Sequence, residues 1–371
     1  MKYKIIASLT AFGLTVAGIV LYQLGTMNIT QCQKTLAESV IHGVKKHPYF
    51  SPSYAEARKR FIEAAHATGG KIESIQNPHT GPKGGSIFMD VALLGNKNAQ
   101  RALVVISGTH GVEGFAGSAI QTGTLREEVG SLLPDNTSIL MIHALNPYGM
   151  AHLRRFTESN IDLNRNFIDP TKLLPTNPAY EQLADVIAPQ FMSFGSEVTS
   201  WSQLLWFRLT KGKAATQAVI SGGQYSHPNG LFYGGTSAAW SNKTLRSIVQ
   251  RYLSHTNKVI VVDIHTGLGK FGAVEIILNV PENSPEYHRA TAIWEPKMVK
   301  TTVTGRSVST HLPTALKLAI PKMLPKAEVT AVSLEFGTFP PMDVFKALRA
   351  ENWLHHYGGN SHEKAAALKA C

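Results

Sequence analysis

The chain has 371 residues, of which 43% are hydrophobic and only 16% are charged, a composition that permits one large core and excludes a mostly disordered protein. Its 36 basic and 25 acidic side chains give a formal net charge of +11. This basic excess favours anionic substrates or an anionic surface. No basic run is interleaved with aromatic residues, and this argues against a nucleic-acid-binding protein.

The N-terminus carries an uncharged, mostly apolar segment, residues 5–22, that follows two lysines. Such a segment is either a secretory signal peptide or a membrane anchor close to spanning length. We assign residues 1–28 to it and expect an apolar helix there. No clear A-x-A cleavage pattern follows, so we expect a retained anchor. The catalytic part would then face the periplasm or the exterior, or be secreted if the segment is cleaved.

The remainder, residues 29–371, is predicted to form a single α/β domain with a mixed, mostly parallel central sheet flanked by helices, because apolar strands alternate with amphipathic helices. Residues 175–240 are less regular and are interpreted as an insertion over the sheet. In chain order, strands are predicted at 71–75, 86–94, 103–106, 138–145, 259–264, 275–279 and 329–335, and helices at 53–66, 117–128 and 342–356.

His110 and Glu113 stand three residues apart, directly after the predicted strand 103–106 and a turn of small residues. At such a junction an imidazole nitrogen and a carboxylate can point at one position. A catalytic zinc site needs three protein ligands and an open fourth position. His265, which follows the predicted strand 259–264, supplies the third. Taken alone, His110 is as readily a turn residue, and His265 a core histidine.

The two cysteines, Cys32 and Cys371, lie at opposite ends of the chain and form no CxxC motif. Their spacing leaves open whether they pair in an oxidising compartment. Any metal must therefore be held by histidine and carboxylate side chains.

Five sequence elements occur in a fixed order between about residues 100 and 340. They are the HxxE motif at 110–113, the segment NPYG at 146–149, an arginine followed by DLNRNF at 155–167, a strand ending in His265, and a strand ending in Glu335. This series resembles the zinc carboxypeptidases and looks most like a bacterial branch of unassigned function. The aspartoacylase and succinylglutamate desuccinylase group is the next nearest. The resemblance implies a carboxypeptidase-like fold.

The resemblance also implies roles at the metal. His110, Glu113 and His265 would hold one Zn²⁺, which lowers the pKa of a water and makes it a nucleophile. Glu335 would be the general base, taking the proton of that water and passing it to the leaving nitrogen. The alternative for Glu335 is a structural ion pair. Other divalent metals remain open, because two histidines and a carboxylate accept several.

Further roles concern the substrate. Arg155 would stabilise the oxyanion, although the adjacent Arg154 could take its place. Asn164 and Arg165 would bind the free carboxylate of the substrate, since a guanidinium binds carboxylate through two parallel hydrogen bonds; the alternative is an ordinary turn. The acids that could orient these side chains are Glu158, Asp162 and Asp263.

The implied function is a zinc-dependent hydrolase that cleaves an amide bond adjacent to a free carboxylate, acting on peptides as a metallocarboxypeptidase. One alternative is an N-acyl amino acid deacylase of the aspartoacylase type. Another is a non-catalytic, membrane-tethered protein that binds carboxylates. The chain departs from the carboxypeptidases in its lid tyrosine, because neither Tyr233 nor Tyr287 lies in a matching motif.

Overall fold

The computed structural model describes residues 48–358, apart from 128–129, 131–132 and 170. The predictions for residues 1–28 and for the pairing of Cys32 with Cys371 fall outside these described residues. Within the described part of the chain, no helix is both long and apolar enough to cross a membrane.

The described residues alternate strands and helices along most of their length. The strands are β1 (Lys71–Thr80), β2 (Ser86–Gly95), β3 (Arg101–Ile106), β4 (Thr137–His143), β5 (Lys258–Leu268), β6 (Val274–Leu278), β7 (Val299–Thr301) and β8 (Glu328–Phe339). The helices are α1 (Tyr54–Ala67), α2 (Gly114–Arg126), α3 (Pro147–Ala151), α4 (Pro178–Ile187), α5 (Phe194–Ser221), α6 (Trp240–Leu253), α7 (Pro285–Ile293), α8 (Leu316–Met323) and α9 (Pro341–Tyr357).

The strands form one mixed sheet in the order β1-β2-β4-β3-β5-β8-β6-β7. Its centre, from β4 through β3 and β5 to β8, is parallel. Strands β1 and β2 extend it antiparallel on one side, and β6 pairs antiparallel with β8 on the other. The predicted α/β fold with a mixed, mostly parallel sheet is therefore confirmed.

Helices cover both faces of the sheet, as its continuous apolar strands require. Helices α6 and α8 pack on the face that carries Val104, Val261 and Ala331. Helices α1 and α2 cover the opposite face, where Phe61 and Leu125 contact β2 and β4. Side chains two residues apart in a strand lie on the same face of the sheet. The face of Val261 and Ala331 therefore also carries Asp263, His265, Ser333 and Glu335, and the candidate site lies on the side of α6 and α8.

The segment 175–240 is more regular than predicted. It contains α4 and the 28-residue helix α5, which bends at Gly212, where φ is +85°. The aromatic residues that obscured its periodicity form a separate apolar cluster, in which Tyr180 and Trp201 pack with Phe156 and Phe345. Because these contacts come from distant parts of the chain, local hydropathy did not indicate the helices.

His143, on β4, is a fully buried imidazole on the far face of the sheet from the candidate site. Its ring stacks on Phe61 at 4.6 Å, its Nε2 lies 2.9 Å from Ser118 Oγ, and its Nδ1 has no partner among the described residues. Burial lowers its pKa from 6.5 to about 4, although Asp90 opposes the shift. The folded protein therefore keeps this side chain neutral.

We expect His143 to make the fold sensitive to acid. The unfolded chain binds a proton at this residue below about pH 6.5, whereas the folded chain does so only near pH 4. Stability is then complete above pH 6.5 and falls by about 3 kcal/mol as the pH drops to 4. Urea unfolding at pH 7 and pH 4 should show a smaller loss in His143→Gln than in the wild type. The exposed His66→Gln is the control, and an unchanged loss in His143→Gln would contradict the assignment.

Candidate metal centre

His110 is positioned by a tight turn after β3. Gly108 has φ of +72°, a left-handed conformation that costs glycine little. Gly111 packs against the chain near Arg154, where an added Cβ would lie 2.3 Å from the carbonyl oxygen. The short 3-10 turn Gly111–Glu113 follows. Close backbone packing therefore holds the HxxE motif at the carboxyl end of the sheet, where open α/β folds bind ligands.

Strands β5 and β8 continue past the predicted ends of their apolar runs. The last residue of β3 to pair with β5 is Ile106, opposite Asp263, and beyond that point β5 pairs with β8 alone. His265 therefore lies within β5, which runs to Leu268, four residues beyond the predicted end of the strand at residue 264. The early end of β3 leaves room beside His265, and the HxxE turn fills it.

The structure brings the three predicted ligands together, with one ligand atom from each of His110, Glu113 and His265 all within 4.8 Å of one another. The two Nδ1 atoms are 3.2 Å apart, and each is 3.0 Å from a carboxylate oxygen of Glu113. In a tetrahedral zinc site with bonds of about 2.0–2.1 Å, neighbouring ligand atoms are about 3.3–3.4 Å apart. The donor set and its spacing therefore fit zinc.

Two carboxylates contact the outer nitrogens of the ligand histidines. Asp263 Oδ2 lies 2.6 Å from His265 Nε2, and its other oxygen accepts a hydrogen bond from Thr109 Oγ1 at 2.6 Å. Asp162 Oδ1 lies 3.4 Å from His110 Nε2. The close Asp263 carboxylate fixes the orientation of the His265 ring and leaves its Nδ1 free for a metal. The Glu158 Oε2 atom, by contrast, is buried and has no hydrogen-bond partner within the described part of the chain.

The ligand side chains are strongly coupled in charge. Burial disfavours the charged form of Glu113, but His110 and His265 outweigh it and hold the pKa of this carboxyl below its usual range. Burial likewise opposes protonation of His265, yet Asp263 and Glu113 raise its pKa to about 10. Without a metal, protons supply the positive charge at this site. A divalent cation would displace those protons, so metal binding would release them.

Arg155 is the arginine that contacts the metal ligands. Its Nη1 donates to Glu113 Oε1 at 3.1 Å, its Nη2 lies 2.8 Å from His110 Nε2, and its Nε donates to Asp162 Oδ2 at 2.8 Å. Arg154 instead forms an ion pair with Glu351 at 2.7 Å. Of the two adjacent arginines, Arg155 is therefore the one that reaches the ligand cluster, and its role in oxyanion stabilisation stays a prediction.

Glu335 lies beside His265, its direct partner in the parallel pairing of β5 and β8. The carboxylate is 7% exposed, and its Oε1 accepts a hydrogen bond from the backbone of Leu268 at 3.0 Å. Burial and the nearby Glu113 raise the pKa of Glu335, while His265 opposes the rise. This carboxylate has no cationic partner at ion-pair distance among the described residues, so the structural ion-pair alternative is not supported.

The DLNRNF segment lies under the ligand cluster. Asn164 Nδ2 is 3.3 Å from His110 Nε2, and the Asn164 carbonyl side chain accepts from the backbone of Leu316 at 3.1 Å. Arg165 is buried and donates through Nη1 to Asp162 at 3.0 Å, while its Nε has no partner among the described residues. Arg155 and Arg165 overcome the effect of burial and hold the pKa of Asp162 well below its usual range.

Neither tyrosine considered for a lid is free to act as one. Tyr233 is buried in the main core, and Tyr287 packs with α7 against β6 and β7. The sequence prediction also overlooked Lys317, which is buried near Ser333 on the site face of the sheet. Its signal in the sequence was a lysine inside the apolar run Ala315–Ile320.

Comparison with solved structures finds chains of low sequence identity. Bovine thrombin-activatable fibrinolysis inhibitor is 12% identical, with a TM-score of 0.46 over 86% of this chain and 96% of that one. Carboxypeptidase A from Helicoverpa armigera is 14% identical, with a TM-score of 0.44 over 86% of this chain and 73% of that one. Succinylglutamate desuccinylase from Chromobacterium violaceum is 13% identical, with a TM-score of 0.36 over 86% and 72%.

These structures include the two groups that the sequence motifs resemble. No curated protein matches the chain. The sequence model of the family described as "Protein of unknown function (DUF2817)" matches residues 50–370, and the chain belongs to that family.

Proposed function

We propose that the protein is a zinc-dependent hydrolase that cleaves an amide bond adjacent to a free carboxylate, with peptides as the first substrate class. One observation carries the proposal. The ligand atoms of His110, Glu113 and His265 form a cluster within 4.8 Å, and the carboxylate of Glu335, which forms no ion pair with a described residue, lies next to it on the neighbouring strand. A metal site and an adjacent general base are the two parts that metal-assisted hydrolysis requires.

The protein side chains have distinct parts in the reaction. Bound zinc would supply Lewis acidity, activating water and polarising the scissile carbonyl. Glu335 would take a proton from the attacking water and return it to the departing amine, so the acyl carbon gains a hydroxyl and the nitrogen gains a hydrogen. Arg155 would stabilise negative charge on the carbonyl oxygen.

Binding of the free carboxylate is assigned to Asn164 and Arg165. Asn164 lies beside His110, and Arg165 donates to the neighbouring Asp162. A carboxylate bound by these two side chains would lie close to the metal. The Nε donor of the Arg165 guanidinium has no partner among the residues that the structure describes. An ionised guanidinium in a buried site binds carboxylate more strongly than it would in water.

The test is an assay of the purified full-length chain, loaded with zinc, against matched substrates. Hydrolysis rates of dipeptides with a blocked amino group, ending either in a free acid or in an amide, show whether the enzyme requires a free carboxylate. N-acyl amino acids, tested beside them, separate a peptidase from a deacylase. Zinc-dependent hydrolysis of the free acids supports the proposal. The absence of hydrolysis in every series, with zinc bound, would favour the non-catalytic alternative.

Arg165→Ala is expected to raise KM mainly for substrates with a free carboxylate. The preference for free acid over amide, taken as a ratio of kcat/KM values, should fall by about 100-fold because a buried charged hydrogen bond is lost. A ratio is used because it is insensitive to the fraction of folded enzyme. The exposed Arg208→Ala serves as control. An equal effect on acids and amides would remove Arg165 from carboxylate binding.

A further inference from the structure

Lys317 is a buried ammonium group on the same face of the sheet as the candidate metal centre. It is the second residue of α8 and is 8% exposed. The preceding residue, Leu316, donates its backbone N–H to Asn164 Oδ1 at 3.1 Å, which ties the start of α8 to the carboxylate-binding segment. Lys317 therefore lies between that segment and strands β6 and β8, of which β8 carries Glu335.

The partners of Lys317 are neutral. Its Nζ donates to Ser333 Oγ at 3.2 Å and to the backbone oxygen of Ile277 at 3.3 Å. An ammonium group has three donors, so one N–H has no partner in the part of the chain that the structure describes. Among the described residues no carboxylate lies within ion-pair distance of this group. A buried charge without a counter-charge is costly, and proteins keep one mainly where something pairs with it.

The nearest acids do not form an ion pair with Lys317. Both oxygens of Asp263 are bonded, to Thr109 and to His265, and Glu335 accepts from Leu268. These two carboxylates favour the charged form of Lys317 at longer range, but burial dominates and lowers its pKa from 10.5 to about 8. The group still carries its charge through most of the neutral range, and it lacks a direct anionic partner.

We propose that Lys317 binds a side-chain carboxylate of the substrate, and that the enzyme therefore prefers to release an acidic amino acid, aspartate or glutamate. The inference rests on the proposed function. The substrate would be held by two anionic groups, its terminal carboxylate at Asn164 and Arg165 and its side-chain carboxylate at Lys317. The net charge of +11 favours such a dianionic end group.

The test compares substrates that end in glutamate with those that end in glutamine, because the two side chains have the same shape and differ in charge. For the zinc-loaded full chain, kcat/KM should be about 100-fold higher for glutamate. In Lys317→Met, which keeps the volume and removes the charge, this ratio should fall to about 1. Lys322→Met, an exposed position on the same helix, should keep the wild-type ratio.

Equal turnover of the two substrates by the wild type, or an unchanged ratio in Lys317→Met, would overturn the assignment. A failure of the hydrolase proposal gives a different result, with neither substrate turned over. Calorimetric titration with N-acylglutamate and N-acylglutamine then decides the role of Lys317 independently. Tighter binding of N-acylglutamate, lost in Lys317→Met, supports it, and equal affinities refute it.

Discussion

Glu335→Gln is expected to lower kcat by about 1,000-fold, because a glutamine at this position cannot accept the proton of the attacking water. The substitution keeps the shape of the side chain and its acceptor for the Leu268 N–H. The metal ligands are untouched, so zinc content should equal that of the wild type. The loss would therefore appear in kcat rather than in KM or in metal occupancy.

Glu328→Gln is the matched control for this variant. Glu328 begins the same strand, β8, at its opposite end and is exposed. Steady-state kinetics and elemental analysis of both variants separate the base from the metal site. If Glu335→Gln kept wild-type kcat, Glu335 would have no part in proton transfer, and another group near His265 would have to be the base.

His265→Ala should remove the metal. We expect one zinc per chain in the wild type and a loss of affinity of more than about 100-fold in the variant, since even changes to partners of metal ligands cost 10- to 100-fold. Asp263→Asn changes only the carboxylate that contacts His265 Nε2, so its zinc affinity should lie between those of the wild type and His265→Ala. Elemental analysis after dialysis against a chelator measures all three, and activity should follow occupancy.

The exposed His255→Ala provides the control for loss of a histidine that lies far from the cluster. Full zinc occupancy in His265→Ala would show that the third ligand lies elsewhere. Repeating the measurement with cobalt and manganese identifies the preferred ion, because two histidines and a carboxylate bind several divalent metals.

The sheet and its first helix could be read from local pattern. Ser53 caps α1, whose bounds differ from the predicted helix by one residue at each end. The β-branched run from Val259 lies within β5. Short or irregular elements such as β7, α5 and α8 were not predicted. Their apolar residues contact partners far away in the chain, and hydrophobic periodicity carries information only about neighbours in sequence.

The sequence also predicted only part of the candidate site, because contacts between residues far apart in the chain leave no local pattern. HxxE is a local motif, so its two ligands could be recognised from spacing. The choice between Arg154 and Arg155 depended on which guanidinium reaches Glu113 across the turn, a contact between residues 42 positions apart. The burial of Tyr233, the partial burial of Tyr287 and the isolated charge of Lys317 are likewise consequences of packing.

By itself, the sequence determined the types of side chain available at the strand ends, the positions of most strands along the chain and the class of chemistry that these side chains favour, because these follow from residue identity and short-range spacing. Tertiary structure decided which of those side chains meet. The ends of β3, β5 and β8 place His110, His265 and Glu335 together, and the start of α8 brings Lys317 beside Ser333. Distances of a few ångströms between residues far apart in sequence arise only when the whole core packs.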